Sequence, residues 1–387
     1  MAQSRLEKLE TYILSVMDGS RKTRTASFLR WLLKQLSHLF GFLVQLRLWL
    51  YENGIFRPHT LGCQVVSVGN LTVGGTGKTP IVEVFARSLK ESGRRVAILS
   101  RGYKKVKPPF WERVMDRFKL RRHSKPPLVV SDGERLLLDS QTSGDEPYML
   151  ASNLPEVAVL VDKNRVKSGQ YAIKRMGCDT LILDDGFQYL SLKHRLDIVL
   201  VDSSNAFGNG YTLPRGILRE RIKNIRRAGF IFITKCADGG AGELKKQLRA
   251  LNPDAEISEC RHCPRYLQNV YTGEREPLEF LEGRKAAAIS GIAVPSGFEN
   301  ELERLGAQLV YRKRYADHHR YSQQEIIDGI NSSIKRGAEV IVTTEKDAVR
   351  FPKIERRDLP IFFLRVEIEM LSGAEDFNEC IRRICFR

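Results

Sequence analysis

"VVSVGNLTVGGTGKTP", residues Val65 to Pro80, decides how this chain is read. A β-branched apolar run passes into a glycine-rich turn and ends in Lys-Thr-Pro. The P-loop pattern asks for Gly, four residues, then Gly-Lys-Ser/Thr; Gly77, Lys78 and Thr79 meet its end, while Thr72 stands where the first glycine belongs. Gly74, Gly75 and Gly77 remove side chains where main-chain N–H groups must close on phosphate oxygens. A helix opened by Pro80 and stopped by Gly93 would point its positive end at the same place. The expected nucleotide cradle is thus Thr72, Val73, Gly74, Gly75, Thr76, Gly77, Lys78 and Thr79, with Lys78 on the β- and γ-phosphates and the Thr79 hydroxyl on Mg2+.

Outward from this stretch, continuous apolar runs alternate with helical segments. They are Gln64–Gly69, Arg95–Ser100, Val157–Val161, Thr180–Asp184, Asp197–Asp202 and Gly229–Lys235. Such runs suit strands buried on both faces, and the alternation predicts an α/β fold with a mostly parallel, P-loop NTPase-like sheet flanked by helices. A second, smaller α/β region begins near Ala250, with strands at Lys285–Gly291 and within Val340–Asp347. The expected division is an amino-terminal basic amphipathic helical segment (1–60), a P-loop core (61–250) and a carboxy-terminal α/β domain (251–387). Within the core, residues 103–127 form a basic insert. From Arg101 to Lys125 ten basic residues face only Glu112 and Asp116, which reads as a solvated loop or a contact with an anionic surface.

The whole chain of 387 residues carries 63 Lys and Arg against 46 Asp and Glu, formally +17. That balance attracts polyanions without choosing among nucleic acid, acidic lipid and phosphorylated substrate. The seven cysteines are odd in number and scattered, which suits free thiols in a reducing compartment. Cys260 and Cys263, around Arg261 and His262, have metal-ligand spacing, but a zinc would also need Cys380 and Cys385 brought back to them. The start lacks the marks of a signal peptide, so the amino end is expected on the cytoplasmic side. Phe28–Tyr51 is the most apolar segment, yet Arg30, Lys34, His38 and Arg47 interrupt it, which argues against a membrane span. Leu29, Leu32, Leu33, Leu36, Leu39, Phe40, Leu43 and Leu46 recur at the spacing of one helix face. That face either packs on the protein's own core or lies in a membrane interface; the pattern alone slightly favours the core.

Three further groups carry chemistry. A P-loop enzyme needs a carboxylate at the end of a neighbouring strand to hold Mg2+, and "TLILDDGFQ" supplies Asp184 and Asp185 there. "SGDEP" sets Asp145 and Glu146 just before a helix expected near Pro147, where acidic residues commonly act as N-caps. "ADHHRYS" places Asp317, His318 and His319 in a loop. Only as a set do these groups suggest catalysis.

As a set, with "LYENG", "LSRGY", "GDEPYMLA", "LILDDGFQ", "LPRGILRE", "ADHH" and "TTEKDAV" in order from about Leu29 to Val349, the chain resembles the tetraacyldisaccharide 4'-kinases, the lipid A 4'-kinases of Gram-negative bacteria. The missing first glycine is a trait of that family. The resemblance implies transfer of the ATP γ-phosphate to the 4'-hydroxyl of an acylated glucosamine disaccharide 1-phosphate, by a peripheral (monotopic) enzyme on the cytoplasmic face of the inner membrane. It implies Asp145 as the base or base partner, with a histidine of "DHH", His318 before His319, orienting or sharing the proton. Glu146, Asp184 and Asp185 would form the metal and phosphate shell, and Arg219 and Glu220 would lie near the nucleotide. ATP, Mg2+, the lipid acceptor and an anionic membrane surface are the expected partners, without nucleic acid or an obligate protein partner. With a lipid acceptor, the reading of Phe28–Tyr51 moves from core to membrane docking. Two departures stand out: Tyr189 occupies a position where the family commonly has histidine, and the insert after Tyr103 is long.

Competing readings are a regulatory GTPase or metallochaperone, from "FITKCAD" (Phe232–Asp238), and a nucleic-acid-binding ATPase, from the charge. The first has its guanine-reader spacing one residue too long, and no nucleic-acid module is recognisable for the second. A P-loop kinase of a soluble substrate is the nearest enzymatic alternative.

Overall fold

The computed structural model describes residues 12, 15–17, 21, 23–75, 77–102, 125–237 and 240–385. Thr76, Asp238 and nearly all of the basic insert therefore lie outside the described residues.

A helix (α1, Arg24–Glu52) precedes β1 (Gln64–Asn70), α2 (Lys78–Glu91), β2 (Val96–Ser100), β3 (Leu128–Asp132), α3 (Ser140–Ser143), α4 (Asp145–Asn153), β4 (Ala158–Val161), α5 (Arg165–Met176), β5 (Thr180–Asp184), β6 (Leu196–Asp202) and β7 (Phe230–Thr234). The chain continues through α6 (Gly242–Leu251), β8 (Glu256–Asn269), β9 (Arg275–Glu276), β10 (Lys285–Ser290), α7 (Pro295–Arg304), β11 (Gln308–Arg314), α8 (Gln323–Lys335), β12 (Val340–Thr344), α9 (Glu345–Ala348), β13 (Ile361–Ser372) and α10 (Ala374–Cys385).

All the described strands join one sheet in the order β11-β10-β12-β13-β8-β7-β6-β1-β5-β2-β4-β3, with β9 beside β8. From β8 to β4 every pair is parallel, and so is every pair from β11 to β13. The two parallel blocks meet antiparallel where β13 lies against β8, and β3 closes the far edge antiparallel to β4. The expected apolar runs are buried strands: β1, β2 and β5 shield almost every side chain, because helices cover both faces.

Helix α2 begins at Lys78, two residues before the expected start. Gly77 is its N-cap at φ +76°, and Pro80 falls in the first turn, where a missing N–H leaves no helical bond unmade. Helix α10, although last in the chain, packs Phe377, Cys380, Ile381 and Ile384 into the core beneath α2 and β1.

Helix α1 departs from the core reading of its apolar stripe. Its buried residues are Ala26, Ser37, Gly41 and Leu48, a mostly small set. Ser37 Oγ donates to Thr212 O at 2.8 Å, Thr212 Oγ1 donates to Ser37 O at 2.8 Å, and Gly41 lies against the Thr212 side chain. Phe28, Trp31, Leu36, Leu39, Phe42, Leu43 and Trp49 remain exposed, Phe28 by 66% and Leu43 by 53%, while Phe40 is half-buried. No helix among the described residues is long and apolar enough to cross a membrane.

Candidate active site

The cradle is held from two sides. Asn70, the buried last residue of β1, donates from Nδ2 to Thr72 O at 2.7 Å and accepts from Lys78 Nζ at 3.2 Å. Its neighbour segment pairs with "LPRGILRE": Thr72 bridges to Leu218, Val73 N–H donates to Ile217 O, and Arg219 N–H donates to Leu71 O. Val73, Gly74 and Gly75 stand exposed between these anchors, and Thr79 lies half-buried in the first turn of α2. Gly69 allows the "DDGFQ" turn to close on β1, since a Cβ there would meet the Phe187 Cβ at 2.7 Å.

Beyond that turn stand the carboxylates. Asp185 sits at φ +56° and accepts both oxygens' worth of hydrogen bonds from Arg219 Nη1, at 2.7 and 2.8 Å, with Lys78 Nζ 3.6 Å away. Burial raises its carboxyl, but Lys78, Arg219 and Arg165 together hold it below the ordinary carboxylate value. Asp184 behaves oppositely. Burial, then the charges of Glu146 and Asp185, push it up to about 6, although Lys78 and a 2.9 Å hydrogen bond from Ser100 Oγ pull the other way. Glu220 lies one layer back, 1% exposed, with Gln188, Asn224 and Arg227 all donating to it. Through Gln188, which also accepts from Arg219, it steadies the arginine on Asp185.

Asp184 and Thr79 suit Mg2+. No three His, Cys, Asp or Glu side chains among the described residues gather into a cage, and Mg2+ does not need one, because substrate phosphates and water complete its octahedron. A buried carboxylate raised by two like-charged neighbours is a site that gains from a cation.

Neither Asp145 nor Glu146 caps a helix with its side chain, which is the reading local pattern favours. Helix α4 starts at Asp145, and its N-cap is Gly144 at φ +96°. The Asp145 carboxylate is instead bound to the other half of the molecule. His318 Nδ1 lies 3.0 Å from Oδ2, Arg350 Nε donates to Oδ2 at 2.8 Å and Arg320 Nη2 donates to Oδ1 at 2.8 Å. Burial would raise this carboxyl; the His318 hydrogen bond and the Arg350 and Arg320 charges outweigh it and hold the group low. Glu146 accepts from Lys346 Nζ at 2.8 Å and is likewise held low against its burial, by Lys346, then Lys78 and His318. His318 sits at φ +62°, a strained conformation of the kind that collects at functional sites. His319 faces away, bonded to Glu325 at 3.0 Å.

Sequence reasoning missed Arg320, Lys346, Arg350 and Asn70. Arg320 follows "DHH" directly, and Lys346 and Arg350 lie in and just after "TTEKDAV", so the motifs held the signal without the roles. Arg350 is fully buried and also donates to Gly291 O and Asp347. At Tyr189 the hydroxyl accepts from Arg165 N–H at 3.0 Å, and the Arg165 guanidinium lies 5.0 Å over its ring. A cation therefore stands beside this position although its own side chain carries none. Cys260 and Cys380 are buried in the core, where burial pushes both thiols up to about 12, and among the described residues they form no metal-ligand group with other His, Cys, Asp or Glu side chains.

The chain as a whole is similar to known proteins. A family profile for tetraacyldisaccharide-1-P 4'-kinase matches residues 29–385. A tetraacyldisaccharide 4'-kinase of Anaeromyxobacter dehalogenans (strain 2CP-C) is 41% identical over 84% of this chain and 83% of its own. One from Halothermothrix orenii is 32% identical over 99% of this chain and 100% of its own. The crystal structure of LpxK from Aquifex aeolicus in complex with ATP superposes with a TM-score of 0.70 at 30% identity, covering 92% of this chain and 100% of that one. A P-loop sheet whose cradle and carboxylates lie in one parallel block and meet His318 and Arg350 of the other, in a chain matched along nearly its whole length, makes this chain a member of the tetraacyldisaccharide-1-P 4'-kinase family.

Proposed function

We propose that the enzyme transfers the γ-phosphate of ATP to the 4'-hydroxyl of an acylated glucosamine disaccharide 1-phosphate, working as a peripheral protein on the cytoplasmic face of the inner membrane. The carrying observation is Glu146. It accepts at 2.8 Å from Lys346 of the opposite block and follows Asp145, which His318 of that block meets at 3.0 Å, while the charge of Lys78 of the cradle helps to hold it low.

Lys78 and the loop amides neutralise the phosphates, and Arg219 keeps Asp185 in place. Thr79 and Asp184, with Glu146 and Asp185 at the margin, would hold Mg2+, which would supply positive charge against that developing on the phosphates. His318 takes the hydroxyl proton. Asp145 is a poor proton carrier, because three donors hold its carboxyl low; it serves as base partner, accepting from Nδ1–H so that the other ring nitrogen faces the acceptor unprotonated.

The exposed stripe of α1 supports the membrane surface. Contiguous exposed apolar side chains of this extent mark an interaction site, and Arg30, Lys34 and Arg47 on the same helix suit anionic headgroups. The test is label transfer from γ-labelled ATP into the purified acylated disaccharide 1-phosphate in anionic vesicles. Lys78→Ala should abolish transfer in a folded protein. Replacing Leu36, Phe40 and Leu43 with serine should reduce vesicle binding while melting stays near wild type. Label in a water-soluble product instead of the glycolipid would refute the acceptor, and undiminished vesicle binding would refute the role of α1.

A further inference from the structure

Lys346 has a placement that holding the fold together does not require. It belongs to α9, a single turn locked in place by Asp347. Thr344 Oγ1 accepts from Asp347 N–H and donates to Oδ2 at 2.6 Å, while Gly291 N–H, Tyr321 Oη and Arg350 Nη1 all donate to Oδ1. Asp347 is fully buried. From this rigid base Lys346 reaches across to Glu146, at 2.8 Å, yet its own side chain stays 34% exposed. Exposed pairs of this kind contribute about 0–1 kcal/mol. Joining the blocks falls to buried groups instead: Arg350 on Asp145, and Arg365 of β13 between Glu83 of α2 and Glu345 of α9.

Glu146 thus binds Lys346 directly and lies within the field of Lys78, the cradle lysine whose own contacts are Asn70 and Asp185. Lys78 approaches with the donor cradle, and Lys346 approaches with the block that supplies His318 and Arg320. An ammonium has three donors in a cone, and Glu146 engages one. Phosphoryl transfer has a loose transition state with charge spread over three equatorial oxygens, so a second cation fixed beside the in-line path stabilises it more than it stabilises bound ATP.

We infer that Lys346 is a further catalytic residue, one that donates to an equatorial oxygen of the phosphoryl group in transit. The inference rests on the kinase reading above. In the step, the 4'-oxygen bonds to the γ-phosphorus as the bond from phosphorus to the β–γ bridging oxygen breaks. The hydroxyl proton passes to His318 and ADP departs; Lys346 stays protonated throughout and only neutralises charge.

The test compares Lys346→Met and Lys346→Arg with the unaltered enzyme in the full chain. Three quantities are read: kcat with the lipid acceptor, affinity for Mg-ADP with and without aluminium fluoride, and the melting temperature without nucleotide. Aluminium fluoride beside ADP imitates the phosphoryl group in flight. Lys346→Met should lower kcat about 10²- to 10³-fold, as loss of one transition-state donor does. It should leave Mg-ADP affinity within about threefold and remove a similar factor from the tightening by aluminium fluoride, with Lys346→Arg restoring part of both. A kcat within threefold of the unaltered enzyme would overturn the inference. So would a loss matched by weaker Mg-ADP binding or a lower melting temperature, since that describes a clamp. Failure of the unaltered enzyme to label the lipid would instead sink the acceptor assignment, and the fluoride measurement would still judge Lys346.

Discussion

Asp184→Asn should make the nucleotide-free protein more stable and nearly inactive. The folded state raises this carboxyl from its ordinary 3.8 to about 6, through burial and the neighbouring charges of Glu146 and Asp185. Because the native protein holds this proton more tightly than the unfolded chain, the stability contributed by neutral Asp184 is complete below about pH 3.8. It is lost as pH rises through 6. A shift of about 2 units corresponds to about 3 kcal/mol of penalty above that range. Asparagine keeps an acceptor for Ser100 Oγ and removes the charge, so the net gain at pH 8 should be roughly 1–3 kcal/mol, or about 1–4 °C in Tm for a chain of this length. At pH 5 the wild-type penalty is about half as large, roughly 1.5 kcal/mol, and the advantage should shrink in proportion. Thermal melts in EDTA, without nucleotide, at pH 5 and pH 8 measure both numbers. An Asn variant no more stable than wild type at pH 8, or one whose advantage is the same at pH 5, would refute the reasoning.

Asp145→Asn and His318→Ala should each lower kcat far more than ATP affinity, and the double variant should be little worse than the worse single one, because the two act as a unit; multiplicative losses in steady-state kinetics would assign them separate jobs. Arg365→Met should cost about 3–5 kcal/mol in urea unfolding, since it strands the buried Glu83 and Glu345 carboxylates without their shared cation; a loss below about 1 kcal/mol would show that the two simply take up protons.

The first block was largely legible in the sequence, because strands buried on both faces must be apolar throughout and therefore announce themselves. β8 and β13 were not. "RHCPRYLQ" and "LRVEIEML" mix charge with apolar residues, and their charges make sense only across the pair: Arg261 meets Glu369 at 2.6 Å, and Arg265 lies 3.7 Å from Glu367. A partner about a hundred residues away leaves no local pattern. The same reason hid Arg320 and Arg350, whose bond to Asp145 spans more than 170 residues. Motif spacing found the cradle and the acidic turn because each is a continuous local structure. In α1 the apolar stripe was visible, but its docking contacts rest on Ser37 and Gly41, residues whose value lies in being small.

Helix α10 sets a condition on how the protein comes into being. Phe377 packs edge-on against Phe85 at 5.4 Å and against Phe232 at 6.0 Å, so the core under the cradle contains side chains that leave the ribosome some 290 residues after Phe85. The nucleotide-binding block cannot complete its interior as it is synthesised; it waits for residues 374–385. A nascent chain halted before them presents Phe85, Phe230 and Phe232 uncovered, an apolar surface of the sort that chaperones hold and proteases clear. Vectorial synthesis thus delivers the segment that seals the cradle's foundation only after the second block, so a chain whose cradle rests on a finished core already carries the block bearing His318.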